Sequence, residues 1–222
     1  MTLSDWLIWQ LADSAFPSGG FAHSGGLEAA WQWGEVRGRE DLVDYVRVSM
    51  AQLGHGGLPF VRAAHPEPAP FGELDSRCEA FLSNHVANRA SRRQGQAFLA
   101  TAVSVYPIDS LRQLRILVAE NGMAGHLATV FGRVTGLLGL EVERAARLFL
   151  FVALRGLLSS AVRLGAAGPL EAQGIQFEVS EFCEEVVGWS RTCTVEQITQ
   201  TAPMVELLQG NHDRLYSRLF QS

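Results

Sequence analysis

The chain has 222 residues, of which 47% are hydrophobic and 18% charged, so it has enough apolar material to bury one sizeable core. Its net charge of −5 argues against a general nucleic-acid binder, because such a protein carries a basic face. All 18 basic residues are arginine, and the lack of lysine excludes a lysine Schiff base and a Walker-type phosphate loop.

The start of the chain has no basic segment followed by an apolar one, so we expect a cytoplasmic protein without a secretory leader. The longest apolar stretch, Leu148 to Val162, is interrupted by Arg155 and is shorter than the roughly 20 residues that cross a bilayer. We therefore expect a buried core helix there, and no membrane partner.

Helical patterns begin near the start of the chain. A first helix is predicted near residues 3–12, and a surface loop rich in glycine and proline follows at 13–26. This loop is long for an ordinary connection, which predicts a functional surface. Ser24 is expected to cap a second helix from about 26 to 33.

Periodicity and the positions of glycine and proline predict the remaining helices. They are expected over 40–53, from Pro59, over 71–105 with a break near Asn88, from 109, over 126–138, over 142–164, over 169–188 and from Pro203. No hairpin turn or alternating strand pattern interrupts them. The sequence predicts a single all-α domain over 1–222, a bundle of about ten helices around a central apolar helix near 142–164.

The histidines do not form a recognisable catalytic or metal motif. None of the six has the spacing of a di-iron bundle or of a zinc protease, and the three cysteines lie far apart. We therefore predict no catalytic residue, no metal ligand and no cofactor. His23 and Ser24 are adjacent, but the serine-nucleophile motif is missing because Ala22 stands where its first glycine belongs.

Two other classes of protein stay open from spacing alone. A helical enzyme could have its pocket at the 13–28 loop, with His23 as base and Asp13 or Glu28 orienting it. A helix-turn-helix regulator would need a basic recognition helix, and the one dense basic segment, 89–93, is small.

Two segments of the chain together resemble the urease accessory protein F family. The sequence at 15–28, AFPSGGFAHSGGLE, is similar to the family's Pro-x-Gly-Gly-Phe/Tyr-x-x-Ser-x-Gly-Leu-Glu stretch. The tail at 212–222 contains Tyr-Ser-Arg-Leu-Phe, as the family's ending does. Segments 91–95 and 126–163 are also similar to the family, whereas the turn at 165–173 lacks the family's Gly-Gln-x-Asp-Gly-Gln sequence.

The resemblance implies a helical scaffold or chaperone, often a homodimer, that is not an enzyme. Such a protein binds the UreD/UreH accessory protein, recruits the UreG GTPase, and assists GTP-dependent nickel insertion into apo-urease. Nickel would be handled by the assembled complex. Self-association is also expected from aromatic residues that the sequence suggests are exposed: Trp31, Trp33 and Trp189.

The resemblance ties partner contact to Phe21 in the loop and Arg218 in the tail. We extend the predicted partner-binding set to their neighbours in the two segments: His23, Ser24, Glu28, Tyr216, Leu219 and Phe220. Arginine and aromatic residues in such density are typical of an interface hot spot. In the alternative interpretation, Leu215, Leu219 and Phe220 only pack the tail onto the core.

Overall fold

The computed structural model describes residues 3–66 and 68–222, with side chains from Asp5 onward. No strand occurs in these ranges, which confirms the all-α prediction, and three short 3₁₀ turns lie at 20–22, 190–192 and 212–214. The α-helices of the described ranges are α1 (Leu3–Ala12), α2 (Leu27–Gln32), α3 (Arg39–Gly56), α4 (Leu58–Ala64), α5 (Phe71–Phe81), α6 (His85–Val105), α7 (Asp109–Glu120), α8 (Leu127–Leu137), α9 (Val142–Leu164), α10 (Pro169–Trp189) and α11 (Pro203–Gly210).

Helix α9 lies at the centre of the molecule, as predicted. It packs against α1, α2, α3, α4, α8 and α10, and buries Leu150, Leu154 and Leu158. By length and composition α9 could cross a membrane, alone among the described helices, but more than half of it is buried inside the protein. Burial against six neighbouring helices identifies α9 as a core helix.

Glycines allow α8 to pack closely against its neighbours. A Cβ atom on Gly132 would lie 2.2 Å from the carbonyl oxygen of Val61 in α4, and one on Gly136 would lie 2.1 Å from that of His65. On the α6 side, a Cβ on Gly95 would lie 2.1 Å from the carbonyl oxygen of Gly125. These backbones are therefore too close for any side chain to fit between them.

Two predicted helix boundaries are wrong. Helix α3 continues past 53 to Gly56. Gly54 does not end the helix but packs against the ring of Trp189, where a Cβ would be only 2.5 Å away. The break predicted near Asn88 lies instead at 82–84, where Asn84 Oδ1 accepts the N–H groups of Val86 and Ala87 at 3.0 and 3.3 Å. Packing in the first case and capping in the second explain the differences.

The start of α2 also differs from the prediction. Gly26, with a positive φ of 89°, occupies the N-cap position, and a Cβ there would lie 2.8 Å from the Tyr45 hydroxyl. Ser24 is buried, and its Oγ is a long 3.4 Å from the Glu28 N–H. Ser24 is therefore not the N-cap residue, and its main interactions are with the tail.

We expect Gly132→Ala to lower the free energy of unfolding by about 1–3 kcal/mol, because α8 and α4 must separate to admit the methyl group. Gly174→Ala is the matched control, since this exposed helical glycine has open space where a Cβ would lie. The control should stabilise by roughly 0.5–1 kcal/mol through helix propensity. Urea unfolding measures both; equal effects of the two changes would contradict the packing argument.

Candidate functional site

The loop (residues 13–26) and the tail (residues 212–222) lie side by side although they come from opposite ends of the chain. Ser24 donates its N–H to the main-chain oxygen of Ser222 at 2.6 Å, and Gln221 donates its N–H to the carbonyl oxygen of Ala22 at 2.8 Å. Ser24 Oγ donates a second bond to Ser222 at 3.2 Å. We call the combined outer face of these segments the loop–tail surface.

The loop is also fixed from behind by three helices. Tyr45 of α3 donates its hydroxyl to the carbonyl oxygen of Gly25 at 2.8 Å, and Thr101 of α6 donates to that of Pro17 at 2.8 Å. Arg163 of α9 donates to the carbonyl oxygen of Phe21 at 2.5 Å. The loop is therefore an ordered platform and not a free connection.

The carboxylate of Glu28 holds the tail in place. Glu28 is 1% exposed, and its two oxygens accept the N–H groups of Leu219 at 2.5 Å and Phe220 at 3.2 Å. One of them also lies 2.9 Å from His212 Nε2, at the other end of the tail. A buried carboxylate needs such partners, because an unpaired charge in the interior is very costly.

His212 is fully buried beside Glu28, and no sequence motif marked it as a functional residue. Its Nδ1 has no hydrogen-bond partner in the part of the chain that the structure describes, which leaves Nε2 as the donor to Glu28. The only sequence signal was its place at the start of the family-like tail.

Arg163 joins the loop, the tail and the central helix. Its guanidinium carbon lies 3.8 Å from the ring centroid of Phe21 and 4.2 Å from that of Phe220. Each cation–π contact of this kind contributes roughly 0.5–1 kcal/mol at an exposed site. The contact holds the ring of Phe220 inward while Phe21 remains 70% exposed.

A cluster of charges fixes the start of the tail to α6. Arg89 makes a two-bond contact with the carboxylate of Asp213, at 2.8 and 3.0 Å, and Arg218 lies 3.3 Å from the same carboxylate. The hydrogen bonds from Arg89 lower the pKa of Asp213 below its usual value. Arg218 is about half exposed, so its contact with Asp213 is weak and leaves it free to bind elsewhere.

His23 bonds to the tail and has no acidic partner among the residues that the structure describes. Its Nδ1 lies 2.5 Å from Ser222 Oγ, and burial, with help from Arg93 and Arg89, lowers its pKa to about 4. The carboxylates proposed to orient it are used elsewhere: Glu28 by the tail, and Asp13 by the N–H of Ala15 at 2.8 Å. The geometry therefore does not support the base and orienter of the enzyme alternative.

A cavity of about 310 Å³ adjoins the loop, between α3, α6 and α9. Its lining is mainly apolar, and His23 and Glu206 are two of its ionisable members. Burial raises the pKa of Glu206, and no hydrogen bond joins it to His23 in the described residues. Nor does the described structure group three or more histidine, cysteine, aspartate or glutamate side chains as a metal site.

The structure brings all eight predicted partner-binding residues together, in two layers. The outer layer exposes its side chains to solvent: Phe21, Tyr216, Arg218 and Leu219. His23 is half-buried. The inner layer is buried: Ser24, Glu28 and Phe220. The side chains of the outer layer can therefore contact a partner protein directly, whereas those of the inner layer position the tail.

We expect Glu28→Gln to loosen the tail, because an amide nitrogen replaces one of the two carboxylate oxygens and brings a donor against the N–H group of Leu219 or of Phe220. The free energy of unfolding should fall by about 2–3 kcal/mol. Hydrogen exchange at these two amides should accelerate in Glu28→Gln but not in the control Glu35→Gln, which changes an exposed carboxylate. Unchanged exchange in Glu28→Gln would show that the tail is held by other contacts.

Comparison with known proteins bears directly on the resemblance seen in the sequence. The UreF family model matches residues 36–180. The chain is 42% identical over 219 residues to urease accessory protein F of Oryza sativa subsp. indica, which covers 97% of this chain and 84% of the relative. It is 38% identical over 221 residues to urease accessory protein F of Arabidopsis thaliana, covering 98% and 92%. It is 30% identical over 216 residues to urease accessory protein UreF of Mycobacterium tuberculosis, covering 97% and 98%.

Since the family model matches more than half of the chain and these relatives align with nearly all of it, the chain belongs to the UreF family of urease accessory proteins.

Proposed function

We propose that this protein is a cytoplasmic scaffold that binds the UreD/UreH accessory protein through the loop–tail surface. With that partner it recruits the UreG GTPase and assists GTP-dependent nickel insertion into apo-urease. Nickel is handled by the assembled complex. Family membership supports the general role in urease maturation.

The observation that carries the proposal is the exposure of the outer layer on an ordered platform. Phe21 and Tyr216 present aromatic rings to solvent, and Leu219 lies beside them in the tail. Exposed aromatic and aliphatic side chains next to an arginine have the composition of an interface hot spot. Because Glu28 and Arg163 already order the segments behind this layer, binding requires little further loss of conformational entropy.

The same geometry favours a scaffold over an enzyme. The lowered pKa of about 4 makes His23 a weak base, and both nearby candidate carboxylates have other partners. We infer that the chain alone does not turn over a substrate, and that GTP hydrolysis belongs to the GTPase of the complex.

Arg218→Ala should weaken binding to the UreD/UreH partner by about 2 kcal/mol, or roughly thirtyfold, because its guanidinium can make two bonds to a partner carboxylate or carbonyl group. The thermal midpoint should hardly change, since Arg218 is exposed. Titration calorimetry with the partner measures the affinity.

Arg112→Ala is the matched control, because Arg112 is also exposed and paired with a carboxylate, Asp109 at 2.6 Å on α7. It should bind the partner like the wild type. Unchanged affinity in Arg218→Ala, or an equal loss in Arg112→Ala, would remove the tail from the interface.

We further infer that two copies of the chain associate through the face formed by α9 and α10. A groove of about 470 Å³ runs between these helices, and Phe177, 84% exposed, stands beside Phe151 and Leu154 in its lining. The same patch carries the opposite charges of Arg147 and Glu184. A patch that combines a projecting ring, a groove and both charge signs is suited to a twofold interface with itself.

The tryptophans that first suggested self-association contribute less than expected. Trp31 and Trp189 are partly buried against the core, and the ring of Trp189 stacks on His55 with centroids 4.3 Å apart. Only Trp33 of the three is exposed. The α9–α10 face is therefore the stronger candidate for the contact between copies.

Phe177→Glu should convert the dimer to a monomer in sedimentation at micromolar concentration, because it buries a charge in the proposed contact. Ile116→Glu is the control, since it places the same charge at an exposed apolar position on α7. A wild-type chain that sediments as a monomer, or a Phe177→Glu chain that remains dimeric, would contradict this interface.

A further inference from the structure

A basic groove lies at the corner between α5 and α6, outside the loop–tail surface. It has a volume of about 600 Å³ and is open to solvent. Four of its lining residues lie along one side of α6, because His85, Arg92 and Arg93 are each three or four positions from Arg89. This basic groove contains the arginines of the dense basic segment at 89–93, which the proposed scaffold role does not use.

Two arginines of the basic groove show how it binds carboxylates. Arg92 makes a two-bond contact with Glu79, its Nε lying 3.0 Å from Oε2, and Arg89 makes a similar contact with Asp213. Arginine and carboxylate groups match in this planar geometry. The side chains lining this groove are therefore already arranged as carboxylate receptors.

Arg93 has no carboxylate partner in the described ranges. It donates to the side-chain oxygen of Gln221 at 3.2 Å, and its side chain is exposed. The three arginines of the groove face two carboxylates, Asp213 and Glu79, which leaves the positive charge of Arg93 in excess. This excess stands out on a chain whose net charge is −5.

We propose that the basic groove binds an acidic segment of a partner protein, with one of the partner's carboxylates on Arg93. A carboxylate there forms a third arginine–carboxylate pair, one helical turn from the pair of Arg89 with Asp213. A nucleic acid fits less well, because its binding requires a basic surface much larger than one groove on an acidic chain. The proposal does not depend on which protein meets the loop–tail surface.

The test uses the full chain and a fluorescein-labelled decapeptide of alternating glutamate and glycine as the probe. Fluorescence anisotropy should show binding at 50 mM salt that weakens several-fold at 300 mM, as expected for screened charges. A lysine–glycine decapeptide should not bind. A 20-base-pair DNA duplex should compete poorly with the acidic peptide.

Three variants distinguish binding at a specific site from a general effect of net charge. Arg93→Glu should reduce the peptide affinity at least about tenfold, whereas Arg115→Glu, the same charge change at an exposed position of α7, should leave it within twofold. Gln221→Ala removes the contact of Arg93 with the tail but keeps the charge, so it should retain binding. Helical dichroism and the thermal midpoint confirm that each variant is folded.

Several outcomes would overturn the proposal. One is the absence of peptide binding at millimolar concentration, and another is an equal loss of peptide affinity in Arg93→Glu and Arg115→Glu. A third is a DNA duplex that binds more tightly than the peptide and depends on Arg93. No urease partner is present in the measurement. Failure here therefore leaves the proposed function untouched, and failure of the Arg218 experiment leaves this proposal untouched.

Discussion

The arrangement of the loop and tail depends on one buried carboxylate. Glu28 lies almost entirely out of solvent, where a charge is stable only if hydrogen-bond donors surround it. The tail supplies those donors through His212 and the N–H groups of Leu219 and Phe220. Glu28 therefore helps to position the tail, and it requires the tail for its burial.

This dependence explains why residues with different exposure belong to one site. Ser24 and Phe220 face inward and fix the course of the two segments, while Tyr216 and Arg218 face outward from the same short stretch. A surface ordered in advance loses less entropy on binding than a free tail does. The proposed scaffold role is consistent with a rigid core that presents a few exposed side chains.

Much of the helical architecture could be predicted from periodicity and from glycine and proline, because those signals are local. Glycines that serve packing misled the prediction: Gly54 lies inside α3 because Trp189 fills the space of its side chain. The contacts of Glu28 with the tail could not be predicted from local patterns, since they span almost the whole chain. His212 and Arg163 were missed for that reason, whereas motif resemblance identified Glu28 without its mechanism.

A double-mutant cycle on partner affinity tests the central claim that Glu28 acts through the position of the tail. The UreD/UreH partner is titrated against the wild type, Glu28→Gln, Arg218→Ala and the double variant. If Glu28 positions Arg218, the two losses of binding free energy are coupled. The loss in the double variant is then smaller than the sum of the two single losses by more than about 0.5 kcal/mol. Losses that add to within that margin would contradict the account, because Glu28 and the tail would then affect binding independently.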